Sequence, residues 1–305
     1  MSRCVRRAFL CGEDFFSRTR LDHRKDWLEK RIHTLDTIFS IDVYAYAVMS
    51  NHFHLVLFVD PAGASEWTDQ DIAHRWLALF PPKKELYSLE LKRLMKNPSR
   101  LRCIQQRLCS ISWFMRCLKE PIARQANQED ACTGRFWEGR FRSQALLDRA
   151  AVLSCMAYVD LNPVRAGLST SAESSLHTSI RNRLRGIRFQ PQKQAKPLGS
   201  ISQSAASPIL SIDFSEYLEL VKWSSRRMKK AADEVQSTLP AHLIRSLPHS
   251  EEQWIRQMHQ FERDWYRAAG SVDRLRALAS RLQQTCVYGM RTAKLIYATP
   301  DPYPP

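Results

Sequence analysis

Apolar and polar positions alternate through residues 43–60, which read VYAYAVMSNHFHLVLFVD, in two runs separated by the turn-forming triplet MSN. Alternation with a period of two is typical of half-buried strands, so the pattern predicts a β-hairpin. Side chains two positions apart in a strand point the same way, which places His52 and His54 on one face and Phe53 on the other. Two imidazoles on one face are half of a metal site, or simply a polar strand face carrying solvated histidines.

Elsewhere apolar residues recur every three or four positions, the spacing of amphipathic helices. The Thr68 and Asp71 pair predicts a cap at the start of one such helix, and Pro121 predicts a kink or a break in another. The predicted helices cover residues 22–39, 66–80, 101–127, 148–162, 169–185, 251–269 and 272–284.

The helix predicted within DRAAVLSCMAYVDLNP has both ends marked by its sequence. Asp148 is a good N-cap, and Pro163 disfavours helical geometry at the preceding residue, so the helix should end near Asn162. Tyr158 and Asn162 are then one turn apart on a common face. They are either a core aromatic and a C-cap, or a phenol and an amide oxygen that approach one point.

Residues 133–144, TGRFWEGRFRSQ, combine arginines with aromatic residues and predict a basic, aromatic strand. Arginine clamps phosphates and aromatic rings stack on unpaired bases, so this strand is a candidate platform for single-stranded DNA. The alternative is a core strand with buried rings and solvated arginines. The candidate DNA-binding residues are Arg135, Phe136, Trp137, Arg140, Phe141, Arg142 and, further along, Arg165.

The charge of the chain agrees with a nucleic-acid partner. Its 305 residues include 46 Lys and Arg against 31 Asp and Glu, a net charge of +15. Such an excess favours a polyanion, nucleic acid before a membrane surface. No run of about 18 apolar residues occurs, and MSRCVRRAFL lacks the apolar centre of a signal peptide, so we expect a cytoplasmic protein without a membrane partner. The eight cysteines form no C-x-x-C pair and are predicted to be reduced and structural.

A change in composition predicts the domain organisation. Residues 186–208 are rich in Gln, Ser, Pro and Lys, which is typical of a flexible linker. The linker separates a predicted catalytic domain, residues 1–185, from a helical accessory domain, residues 209–305.

The candidate residues together predict a reaction. His52, His54 and the side-chain oxygen of Asn162 would give a divalent cation three protein ligands and leave positions open for a phosphate oxygen. Tyr158 beside that phosphate would be the nucleophile. A free tyrosine has a pKa near 10, so only about one molecule in a thousand is phenolate at neutral pH and attack needs the metal or a general base. Attack would leave a 5′-phosphotyrosine and release a 3′ hydroxyl.

The segments YAVMSNHFHLVL, GRFWEGRF and YVDLNPVRAG, in that order, resemble the REP-associated tyrosine transposases, a branch of the single-tyrosine HUH superfamily. The resemblance covers roughly residues 1–190. It implies that His52 and His54 bind a divalent metal, that Tyr158 is the nucleophile and that Asn162 completes the metal site. Members usually begin with a longer strand than this chain offers before SRCVRR, so the first strand should be short.

The resemblance also implies a fold, a cofactor and a substrate. The fold would be α+β, with an HUH-type antiparallel sheet sandwiched by helices, followed here by a mostly helical C-terminal region. The metal would be Mg²⁺ or Mn²⁺, although imidazole ligands alone would suggest a borderline ion such as Zn²⁺. The partners would be single-stranded DNA and DNA hairpins at REP-type palindromes, bound by a monomer or a homodimer.

Two classes of function follow. The first is a metal-dependent transposase that nicks and joins single-stranded DNA, which requires all four site residues to converge. The second is a non-catalytic, palindrome-binding regulator derived from such an enzyme, which needs only the basic surface and the strand of arginines and aromatic residues. A replication initiator or relaxase fits the Y-x-x-x-N-P context less well, and a hydrolytic metalloenzyme would need neither Tyr158 nor the positive charge.

Overall fold

The computed structural model describes residues 1–5, 21–189, 198–199, 201, 210, 212–229 and 250–297. Most of the predicted linker therefore lies outside the described residues. Of its described positions, Leu198 is buried and the Ile201 amide donates to the Val43 carbonyl at 2.8 Å, so both positions contact the rest of the fold.

A three-stranded antiparallel sheet in the order β1–β3–β2 is central to the fold. Its strands are β1 (Ser2–Arg3), β2 (Ile41–Val48) and β3 (His52–Val59). The predicted hairpin is confirmed: β2 and β3 pair with Ala47 opposite His54 and Val48 opposite Phe53. The outer edge of β2 is met by a single bridge between Ala47 and Thr178.

Helices of the first half of the chain follow the predicted pattern closely. Thr68 and Asp71 form the predicted capping box. The long helix expected over residues 101–127 is instead two helices, because the backbone at Ser110 is extended, with φ −100° and ψ 120°. Pro121 lies inside the second of them. These helices are α1 (His23–Ile38), α2 (Pro61–Ser65), α3 (Asp69–Leu79), α4 (Tyr87–Met95), α5 (Pro98–Leu108) and α6 (Ile111–Glu129), with a 3₁₀ turn at Lys84–Leu86.

The second half of the described chain is also mainly helical. Asp148 caps α7 by accepting from the Ala151 amide at 2.8 Å, as predicted. The helix expected from residue 169 begins only at Ser179, because hydroxyls such as Ser171 Oγ bond the backbone of the preceding turn. The elements are β4 (Ala145–Leu146), α7 (Arg149–Asp160), α8 (Asn162–Arg165), α9 (Ser179–Phe189), α10 (Phe214–Lys229), α11 (Glu251–Asp264), β5 (Ala268–Ala269), α12 (Val272–Arg281) and α13 (Met290–Ile296).

The strand predicted over residues 133–144 is wrong. The segment is irregular, and it meets the N-terminal residues through a bridge between Cys4 and Trp137 and through backbone hydrogen bonds such as that from the Glu138 amide to the Arg3 carbonyl at 3.0 Å. Gly134 has a φ of 115°, a left-handed conformation that interrupts extended backbone. The alternation of arginine and aromatic residues reflects which side chains face the core, and not a sheet.

Helices cover both faces of the sheet, so the predicted mixed α+β fold is confirmed. One face, which carries Phe53 and Tyr46, packs against α1 and the core formed with α3, α5 and α6. The other packs against α7 and, beyond it, α10 and α11. This second core contains Tyr158, Tyr217 and Trp254 in one cluster, so the predicted catalytic and accessory domains share it.

A buried carboxylate ties α7 to the helices around it. Asp160 accepts from Ser179 Oγ at 2.6 Å, from the Ile180 amide at 3.1 Å and from Tyr217 Oη at 2.7 Å. Burial raises the pKa of Asp160, although these hydrogen bonds oppose the rise. The end of the helix that carries Tyr158 is therefore fixed to α9 and α10.

The described cysteines are all free thiols, as predicted, and burial raises the pKa of Cys155 to about 12. None of the described helices is long and apolar enough to cross a bilayer.

Candidate active site

The two histidines of β3 lie together, with ring centroids 5.1 Å apart. Each has an oxygen near its Nδ1 atom: Asn51 Oδ1 at 2.7 Å from His52, and Glu262 Oε1 at 3.5 Å from His54. A histidine whose Nδ1–H faces an oxygen keeps the lone pair of Nε2 free for a metal. The pair thus has the outer contacts that metal-binding histidines use.

Both imidazoles are held in the neutral form. Burial, with repulsion from Arg3 and Arg165, lowers the pKa of His52 to about 4. Burial and the neighbouring His52 lower the pKa of His54 well below its ordinary value. Neutral imidazole is the form that binds metals, so both ligands are ready at neutral pH.

Tyr158 comes to the histidines from the other side of the site, on α7. Its ring centroid is 6.4 Å from that of His54, and α7 packs directly on β2 and β3. The side chain is only 2% exposed, and its hydroxyl makes no well-formed hydrogen bond with the described residues. Burial and the nearby Glu262 raise the pKa of Tyr158, while Arg165 opposes the rise.

Asn162 is buried one turn beyond Tyr158. Its Nδ2 donates to the Tyr158 carbonyl at 3.1 Å, and its Oδ1 accepts from Arg165 Nη2 at 2.6 Å. An amide oxygen has two lone pairs, so one remains for a metal. Arg165 also donates to the His259 carbonyl at 3.2 Å and places its guanidinium 4.2 Å from the centre of the Tyr158 ring.

The structure links the four predicted site residues in pairs: His52 lies beside His54, His54 lies beside Tyr158, and Asn162 donates to the Tyr158 backbone carbonyl while its Oδ1 faces Arg165. Helix α11 covers the group. Phe261 lies 5.6 Å from Tyr158 between ring centroids, and Glu262 reaches His54. The sequence analysis missed both α11 residues, because the amphipathic pattern that predicts the helix does not say where it packs.

The predicted DNA-binding residues divide into two groups. Phe136 and Trp137 are 2% and 9% exposed and belong to the core under β3. The prediction that these two rings stack on bases is therefore wrong. Their rings interlock at 4.9 Å, and Trp137 Nε1 donates to the Lys119 carbonyl, which leaves neither ring face to a base. Phe141 is half-buried, and the remaining candidates, Arg135, Arg140, Arg142 and Arg165, are exposed.

A second cluster of metal-ligating groups was not predicted. Asp26, Glu29 and His177 each offer one ligand atom, and the three atoms lie within 4.8 Å of one another, so this triad could hold a metal ion. Glu29 accepts from Tyr46 Oη at 2.6 Å and lies 2.9 Å from His177 Nδ1. Burial raises the pKa of Glu29, but the bonds to His177 and Tyr46 outweigh it and the pKa is lowered.

The spacing of Asp26 and Glu29, three apart on a helix, is the sequence signal for this triad. His177 follows an irregular segment and has a φ of 56°, so nothing local places it beside α1.

Comparison of the chain with protein-family models, with curated proteins and with solved structures found no match. The interpretation of the site therefore rests on its residues and their geometry.

Proposed function

We propose that this protein is a metal-dependent transposase of the REP-associated single-tyrosine type, which nicks and joins single-stranded DNA through a 5′-phosphotyrosine. The observation that carries the proposal is the approach of Tyr158 to His54, 6.4 Å between ring centroids, from distant parts of the chain. A tyrosine beside two neutral histidines is the combination that the proposed chemistry needs. The substrates would be DNA hairpins and the unpaired strands beside them.

The residues present fit a divalent ion. Nε2 of His52, Nε2 of His54 and Oδ1 of Asn162 would hold it, and Tyr158, whose buried hydroxyl makes no well-formed hydrogen bond with a described residue, lies beside His54. Mg²⁺ or Mn²⁺ bound there would polarise the phosphate and stabilise its charge. The choice of these ions comes from the resemblance, since imidazole ligands by themselves suit a borderline metal.

The chain's own residues account for the covalent step. The Tyr158 oxygen forms a bond to phosphorus while the bond from phosphorus to the 3′ oxygen breaks. Tyr158 loses one proton and the released 3′ oxygen gains one, so the step balances. The phosphodiester bond is replaced by a phosphotyrosine ester of the same kind, which another 3′ hydroxyl can attack to rejoin the strand. Arg165, over the Tyr158 ring, favours both the phenolate and the phosphate.

The reaction also requires a movement. The Tyr158 hydroxyl is buried, with Arg165 and Phe261 packed against its ring. DNA must therefore displace Arg165, or α11 must shift, before attack. The same burial favours the second candidate function, a non-catalytic protein that binds palindromic DNA through its basic surface.

A denaturing-gel assay separates the two functions. Labelled oligonucleotides with palindromic hairpins, single-stranded or duplex, are incubated with Mg²⁺, Mn²⁺ or EDTA. We expect a metal-dependent covalent adduct on single strands with the wild type and with Tyr266→Phe, an exposed tyrosine, and none with Tyr158→Phe. DNA binding without an adduct in any protein would support the regulator instead.

A further inference from the structure

The proposed metal site offers a cation little negative charge. Its predicted ligands are two neutral imidazoles and an amide, and the charged groups that act on the histidines include Arg3 and Arg165. Cations beside a site repel a second cation, and neutral ligands do not offset that repulsion. A divalent ion would therefore gain from one nearby carboxylate.

Glu262 of α11 is placed to supply it. Within the part of the chain that the structure describes, it is the carboxylate that lies in ion-pair range of the histidine pair, with Oε1 3.5 Å from His54 Nδ1. His54 is 6% exposed, so this contact occurs at the edge of a dry site, where charge acts more strongly than in water. Glu262 itself is half exposed, and can adjust toward His54 when an ion binds.

An oxygen faces Nδ1 of each histidine, at hydrogen-bond distance (2.7 Å) for His52 and at a longer 3.5 Å for His54. Asn51 Oδ1 faces Nδ1 of His52 and Glu262 Oε1 faces Nδ1 of His54. Such partners fix the tautomer and the ring orientation of a ligating histidine and make it a stronger ligand. The His52 partner is its neighbour in sequence, whereas the His54 partner comes from the C-terminal region.

Helix α11 is not free to drift from this position. Phe261 packs against Tyr158, and the His259 carbonyl accepts from Arg165. Three residues within one turn of α11 thus contact three different parts of the site.

We propose that Glu262 is a positioning residue of the metal site, which orients His54 through Nδ1 and supplies the negative charge that the ligands lack. The C-terminal region is then part of the active centre. This inference rests on the proposed function, since it takes the histidine pair as the place where the ion binds.

The test is Mn²⁺ affinity, read from the electron paramagnetic resonance signal of free Mn²⁺, in full-length protein carrying His177→Ala to silence the triad. Glu262→Ala and Glu262→Gln are compared with Glu252→Ala, a control that deletes an exposed carboxylate of the same helix. His54→Ala reports whether the ion binds at the histidine pair. Thermal unfolding without metal shows which variants fold.

Loss of an outer partner of a ligating histidine weakens metal binding by about 10–100-fold, so we expect that loss for Glu262→Ala and wild-type affinity for Glu252→Ala. Glu262→Gln keeps an oxygen acceptor but no charge and should fall between the two. If Glu262→Ala does not fold, the near-isosteric Gln variant carries the test, and unchanged affinity in it overturns the inference.

The two proposals fail differently. Unchanged affinity in folded Glu262→Ala, with affinity lost in His54→Ala, removes the role of Glu262 and leaves the proposed function standing. Unchanged affinity in His54→Ala shows that the ion binds elsewhere, and overturns the metal site of the proposed function together with this inference.

Discussion

Two clusters of metal-ligating groups lie on opposite sides of the sheet. His52 and His54 face α7, since His54 pairs with Ala47 and both belong to the face that meets Tyr158. The triad of Asp26, Glu29 and His177 is joined to the opposite face through Tyr46. Both could hold an ion, but they differ in burial, in charge and in how the chain builds them.

The difference in charge separates their uses. The triad has two carboxylates, which suit a cation but repel a phosphate. The histidine site has neutral ligands near Arg3 and Arg165, so it can admit a phosphate together with an ion. The triad has the better ligands for an isolated cation but is the worse place to bind a phosphate, which supports placing the proposed reaction on the histidine face.

The largest effect should come from removing ligands on the two faces. The double variant His52→Ala/His54→Ala should form no covalent adduct in the denaturing-gel assay, because the ion that polarises the phosphate loses two of its ligands. His177→Ala should form adduct within about twofold of wild type, as an uncoupled second site would. Loss of activity in His177→Ala alone would reverse the assignment of the two clusters.

The next largest effect concerns the core that the histidine face shares with the C-terminal helices. Trp254 is fully buried and its Nε1 donates to Ser224 Oγ at 2.8 Å. Trp254→Ala should lower the free energy of unfolding by about 3–5 kcal/mol, measured by urea denaturation. Trp113→Ala, which removes a half-buried tryptophan beside α5, is the control and should lower the free energy of unfolding clearly less. Equal losses would mean that the shared core contributes no more to stability than the region around Trp113.

Acid should affect the two clusters in different pH ranges. The pKa of His52 falls from 6.5 to about 4 on folding, so the unfolded chain binds more protons between these values and stability declines as the pH drops through them. The pKa of Glu29 is lowered from 4.5 in the folded protein, so the stability that Glu29 contributes is kept above that pH and is lost only below it.

Urea titrations in EDTA from pH 7 to 4 measure this difference. His52→Asn/His54→Asn should lose less stability than wild type between about pH 6.5 and 4.5, the range where an ordinary histidine titrates in the unfolded chain. Glu29→Gln should follow the wild-type slope there. The same slope in all three proteins would show that the histidines do not change protonation on unfolding.

The smallest effect should come from the caps. Ser250 forms a capping box with Gln253 at the start of α11, as Thr68 does with Asp71 at the start of α3. Ser250→Ala and Thr68→Ala should each cost about 1 kcal/mol in urea unfolding. Adduct formation should survive in both, because neither residue contacts the site. A loss of adduct in Ser250→Ala alone would show that the setting of α11 limits activity.

Features set by neighbouring residues could be predicted from the sequence. The hairpin, the Thr68 and Asp148 caps and the side-by-side placement of His52 and His54 all depend on contacts a few positions apart. Combining the motifs predicts that Tyr158 and Asn162 meet the histidines; Tyr158 lies 6.4 Å from His54 between ring centroids, and the metal site itself stays a prediction.

Features set by packing could not be predicted. Residues 133–144 have a strand-like pattern but pair with residues 1–5 only irregularly, so the pattern there records burial of Phe136 and Trp137. His177 reaches its cluster by a contact with Glu29, 148 residues away in sequence, and Glu262 reaches His54 from a helix far along the chain. A single side chain in an unremarkable segment leaves no periodic signal of such contacts.

The position of α11 along the chain has a consequence for synthesis. Phe261 and Glu262, which cover Tyr158 and contact His54, leave the ribosome after all the predicted catalytic residues. Until they emerge, the apolar face of α7 that they cover has no partner from α11. Completion of the candidate site is therefore a late event in translation, and a prematurely terminated chain carries Tyr158 without its cover.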